Sequence, residues 1–133
     1  MLDSHCHLDD AAIYEDRKQV VEEAKEAGVS LMVTIGCDLE SSKKAVAIAH
    51  EFDGVYAAVG FHPQNLENIS DEALDEIRKL ASDSKVIAIG EIGLDYYGRE
   101  EIPKEPEWAV RTTASRESSF RTASTISLAT SAV

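Results

Sequence analysis

The sequence predicts an α/β protein in which about four parallel strands and three to four helices form part of a TIM-type (β/α)8 barrel, followed by an irregular C-terminal tail. Three observations carry this prediction. Short apolar runs alternate with stripes of helical period over the first hundred residues. Three of the four runs are continuous, as in parallel strands covered on both faces. Chemistry-bearing polar residues follow directly on the predicted strand ends, at the rim where barrels build their sites. A doubly wound open sheet accepts the same strand count, whereas a complete barrel needs about 250 residues against the 133 present. Strand number favours the open sheet, and placement of the polar residues favours the barrel.

The first run is Leu2–His7. A helical stripe of Val20, Val21, Ala24 and Ala27 follows, and Gly28 is suited to the left-handed position after it. Leu31–Ile35 forms the second run, and Ala45, Ile48, Ala49 and Phe52 the second stripe. After the third run, Val55–Val59, Ser70 predicts a helix N-cap, with Asp71 and Glu72 placing negative charge in the first turn. Leu74, Ile77, Leu80 and Ala81 line that third helix, and Val86–Ile89 is the fourth strand. The order β-α-β-α-β-α-β implies successive right-handed parallel crossovers.

Hydrophobic residues make up 44% of the chain, enough for a modest core. No run approaches the roughly 20 apolar residues of a membrane span, and the N-terminus lacks the basic start and apolar stretch of a signal peptide, so the expected location is cytoplasmic. Cys6 and Cys37 lie in strand-like segments and are expected to stay reduced and pack as small hydrophobes. A net charge of −12 argues against broad electrostatic adhesion to nucleic acid. Chemistry on a phosphate would need a local cation.

The pattern stops near residue 110. From Arg111 to Val133 the chain has eleven Ser or Thr, no Lys and a single acidic residue, Glu117, with no sustained period. Two domains are therefore expected, a half-barrel over 1–109 and a Ser/Thr/Arg-rich tail over 110–133, disordered or the product of a slipped reading frame. Codons for Val110 to Arg116, read one base later, can encode Phe-Glu-Gln-Gln-Leu-Arg-Glu, a helix-like run. An intact downstream gene frame with no barrel continuation would refute the slip.

Three motifs can carry chemistry. In the first strand Asp3, His5 and His7 are two apart and share a face by strict alternation, so the imidazoles can reach one divalent ion with a carboxylate nearby. Alone, His-x-His equally describes an exposed pair. Gly60-Phe61-His62-Pro63 follows the third strand, where Gly and Pro equally describe a turn and His62 a solvated residue. After the fourth strand, Glu91 continues the row of Ile87 and Ile89 with a carboxylate, which is costly there unless paired or bound to metal. Their common position at strand C-terminal ends is the stronger signal, and it suits one or two divalent ions that activate water and offset phosphoryl charge.

Asp3-Ser-His-Cys-His-Leu-Asp9, Gly60-Phe-His-Pro63 and Gly90-Glu-Ile-Gly-Leu-Asp-Tyr-Tyr97 resemble the leading signatures of the TatD-related deoxyribonucleases, from residue 1 to about 108. The resemblance implies a metal-dependent barrel hydrolase acting on DNA ends or a small phosphoester, with one or two ions of Mg²⁺, Zn²⁺ or Mn²⁺. It matches His5 and His7 to metal ligands, Glu91 to a carboxylate bridging two ions, and His62 and Asp95 to substrate contact or support of the site. Two further His ligands and a late Asp of that family have no counterpart here, since the one remaining histidine, His50, falls in a helix stripe. Little catalysis, marginal stability and self-association through uncovered sheet edges are the corresponding expectations. The alternatives are a phosphoesterase of the polymerase-and-histidinol-phosphatase type, which does not account for Glu91-Ile-Gly-Leu-Asp-Tyr, and a non-catalytic α/β module holding a structural ion.

Overall fold

The computed structural model describes residues 1–65 and 69–93. Strands β1 (Leu2–Cys6), β2 (Leu31–Ile35), β3 (Val55–Val59) and β4 (Val86–Ile89) alternate with helices α1 (Arg17–Glu26), α2 (Leu39–Glu51) and α3 (Asp71–Leu80). The strands form one parallel sheet in the order β1-β2-β3-β4, so each crossover moves the chain one strand along. Sequential order with all strands parallel is what a segment of a barrel requires, and it has no strand-order reversal of the kind that makes the crevice of a doubly wound sheet.

Helix boundaries follow local chemistry. Gly28 ends the α1 turn at φ +91°, a conformation that favours glycine. Helix α2 begins at a reciprocal cap: Asp38 accepts from the Ser41 backbone N–H, and the Ser41 hydroxyl serves the Asp38 N–H in return. At α3 the Ser70 hydroxyl accepts from Ala73 N–H, with Asp71 and Glu72 in the first turn and Arg78 and Lys79 in the last.

Most of the core lies between sheet and helices, where Met32, Val55, Ala57 and Val59 meet Val21, Ala45, Ile48, Ala49, Leu74 and Ile77. The opposite sheet face carries a small cluster of Val33, Ile35 and Ala58 against Ala88. Burial on both faces explains why the second and third strands read as unbroken apolar runs. Edge strands differ: Leu2 on β1 is 55% exposed and Ile87 on β4 is 47% exposed.

The loops after β2 and β3 are tied together. The Ser42 hydroxyl, fully buried, donates to Gly60 O and accepts from Gly60 N–H. Gly36 sits so close that a Cβ there would lie 2.4 Å from Ser42 Cα. His62 N–H donates to Cys37 O at 2.8 Å. These contacts bring the C-terminal ends of neighbouring strands into one rim.

Candidate metal centre

The predicted functional side chains among the described residues arrive at that rim from three different strands. His5 lies on β1 and His7 immediately after it; His62 follows β3, and Glu91 follows β4. His5 Nε2 and His7 Nε2 are 3.3 Å apart, and His5 Nε2 is 3.5 Å from Glu91 Oε1. One ligand atom from each of His5, His7 and Glu91 lies within 4.8 Å of the other two.

The donor set fits a divalent ion. Two nitrogens each about 2.0–2.1 Å from one ion at the tetrahedral angle stand about 3.3–3.4 Å apart, which is the observed spacing of the imidazoles. His7 is also oriented for ligation. Its Nδ1 lies 3.1 Å from Ile35 O, so Nδ1–H donates there and Nε2 keeps its lone pair facing His5.

His62 has the opposite polarity. Its Nδ1 accepts from the Gln64 backbone N–H at 3.1 Å, so the proton sits on Nε2, which stands 3.9 Å from Glu91 Oε2. It therefore presents an N–H to the site. Asp95 lies outside the described residues.

Two sequence expectations are corrected. Asp3 does not join the imidazoles: between Asp3 and Cys6 the β1 register shifts, with three steps on β1 spanning two on β2, so strict alternation does not run through this segment. The Asp3 carboxylate instead accepts from the His5 backbone N–H at 3.1 Å. Cys37 is not in a strand but two residues beyond β2, and its Sγ donates to Glu91 Oε2 at 3.5 Å and lies 4.0 Å from His7 Nδ1. Its position just past a strand C-terminal end was the available signal. Burial, with the negative Glu91 beside it, pushes the Cys37 thiol up to about 12. Burial, helped by Asp3 and Asp9, does the same to Cys6, which donates to Val33 O. Both cysteines are free thiols.

A family model described as TatD related DNase matches residues 2–119. The chain belongs to this TatD family. Among curated TatD relatives it is 36% identical over 105 residues to the uncharacterized metal-dependent hydrolase YabD of Bacillus subtilis, covering 79% of this chain and 41% of YabD. It is also 36% identical over 109 residues to a protein of Cronobacter sakazakii named 3'-5' ssDNA/RNA exonuclease TatD, covering 82% of this chain and 41% of that one. The crystal structure of YJJV, a TatD homolog from Escherichia coli K12, superposes with a TM-score of 0.69 at 33% identity over 75% of this chain and 39% of YJJV. The fold is thus the α/β architecture of a TatD barrel in part, as expected, and the chain spans about two-fifths of the length of these relatives. No helix among the described residues is long and apolar enough to cross a membrane.

Proposed function

We propose that this chain carries the N-terminal part of a divalent-metal phosphodiesterase site, in which His5, His7 and Glu91 hold the ion and the substrate is a DNA or RNA end or a related phosphoester. The observation that carries this reading is the meeting of three donor atoms within 4.8 Å at the strand C-terminal rim. The chemistry a divalent ion supplies when bound is charge compensation at a phosphoryl group and activation of water. On a chain of net charge −12, phosphate has few other reasons to approach.

The chain's own residues divide the work. His5 and His7 offer nitrogen lone pairs, the latter held in place by Ile35 O. Glu91 offers a carboxylate whose Oε1 faces His5. His62, with its proton on Nε2, is suited to donate a hydrogen bond to a phosphate oxygen, and Asp95 is assigned to substrate contact or support of the site. The hydrolase domain is taken as 1–109, with 110–133 as a tail outside it. Relatives named as nucleases are about twice as long, so we assign the 133-residue chain by itself ion binding with little turnover, and self-association along β1 and β4, the outer strands of the described sheet.

Isothermal titration of the 133-residue chain with Mn²⁺ or Zn²⁺, beside Glu91→Gln, is the direct test. Sedimentation and a single-stranded oligonucleotide assay run in parallel. Saturable binding that Glu91→Gln abolishes is the expected result. No binding, or equal binding by the variant, would overturn the ligand assignment; a folded monomer that degrades DNA would overturn the expectations of low turnover and self-association.

A further inference from the structure

The two oxygens of Glu91 have different surroundings. Oε1 faces His5 Nε2 at 3.5 Å, whereas Oε2 receives the Cys37 S–H at 3.5 Å. Cys37 has one proton to give, and its other polar neighbour cannot use it well, because His7 Nδ1 already donates to Ile35 O. The thiol therefore donates to Glu91.

The backbone of Cys37 is held on both sides. Its N–H donates to Ser41 Oγ at 2.8 Å, within the cap of α2. Its carbonyl accepts from His62 N–H at 2.8 Å and from Asn65 Nδ2 at 3.5 Å. A side chain mounted on a backbone fixed by two loops has little freedom to swing away, so the direction of the S–H is set by the fold. Glu91, by contrast, lies two residues past the end of β4, and among the described residues the pairing of β4 with β3 stops at Ile89.

We propose that Cys37 is a positioning residue for the metal centre: its S–H holds Glu91 Oε2 and thereby keeps Oε1 turned toward His5 and His7. This rests on the reading that those three residues bind the ion. A donor to the carboxylate of a ligand fixes the rotamer before the ion arrives, and loss of such partners weakens metal binding about 10- to 100-fold. Cys37 touches Glu91, not the ion.

The test is Mn²⁺ affinity by isothermal titration on the 133-residue chain, wild type against Cys37→Ala, Cys37→Ser and Cys37→Val, with the metal-free melting temperature measured for each. Removal of the donor in Cys37→Ala should raise the Kd about tenfold, and Cys37→Ser, which restores a donor, should return it to within about threefold of wild type. Cys37→Val has no donor and leaves no void, being larger than cysteine, so it should match Cys37→Ala even if alanine loosens the fold. Serine behaving like alanine, or wild-type affinity in both alanine and valine variants, would overturn the role of Cys37 while leaving the ion site standing. A sulfur-to-metal charge-transfer band on adding Co²⁺ would overturn it in another way, by making Cys37 a ligand. Absence of Mn²⁺ binding in the wild type would remove both readings together.

Discussion

Gly60→Ala tests whether the rim is a rigid frame for Glu91. A Cβ on Gly60 would lie 2.9 Å from both Gly90 C and Glu91 O, against the 3.4 Å at which ordinary contact begins. Relief requires a displacement of 3.4 − 2.9 = 0.5 Å. Gly60 has little room to retreat, because its N–H and C=O are both held by the buried Ser42 hydroxyl at 3.2 and 3.3 Å. The Gly90–Glu91 segment is the side that yields, and it carries the carboxylate. Ligand positions in a metal site tolerate about 0.2 Å, so a shift of this size should weaken Mn²⁺ binding about tenfold, or 1.4 kcal/mol. Overpacking adds about 1–3 kcal/mol of destabilisation. Titration calorimetry measures the first effect and the urea midpoint the second. Wild-type affinity together with an unchanged midpoint would refute the reasoning, since the added carbon would then have been absorbed without moving either loop.

Thr34→Val keeps shape and volume but removes the hydroxyl that accepts from Leu8 N–H at 3.2 Å in a site where Thr34 is fully buried. An unsatisfied buried N–H costs about 1–3 kcal/mol; chemical denaturation should show it, and since Leu8 adjoins His7, Mn²⁺ affinity should fall as well. Asp83 accepts from the Lys85 backbone N–H at 2.8 Å and from His50 Nε2 at 2.9 Å, and these bonds, the backbone one first, hold its carboxyl below the ordinary carboxylate range. A depressed carboxyl stabilises the fold above its unfolded value and loses that contribution as pH falls through the lower folded value. Asp83→Asn should therefore flatten the fall in melting temperature on acidification through and below the ordinary carboxylate range; an unchanged slope would count against the contact.

The element order was legible because each segment is locally consistent. Continuous apolar runs marked the strands, of which β2 and β3 are buried on both faces while β4 is half exposed, stripes at helical spacing marked the covering helices, and Gly28 and Ser70 marked ends whose backbone chemistry needs those residue types. His5, His7, His62 and Glu91 stood out because chemistry-bearing residues followed strand ends. Less of the site could be read where its geometry depends on a neighbour. Strict alternation joined Asp3 to the imidazoles, but the register shift on β1 arises from pairing with β2 and leaves no mark in the residues from Leu2 to Cys6. Cys37 read as a core thiol, since nothing local reveals that Glu91, 54 positions later, ends beside it.

The sequence by itself determined the secondary structure, the parallel α/β class and the residue types available for a metal, because these follow from short-range periodicity and side-chain chemistry. Tertiary structure alone decided which atoms meet. The sheet order β1-β2-β3-β4, the Ser42–Gly60 tie and the crossovers set the 3.3 and 3.5 Å spacings among His5, His7 and Glu91 and aimed Cys37 at the carboxylate. Those distances join atoms up to 86 residues apart along the chain, so only strand pairing and packing could specify them.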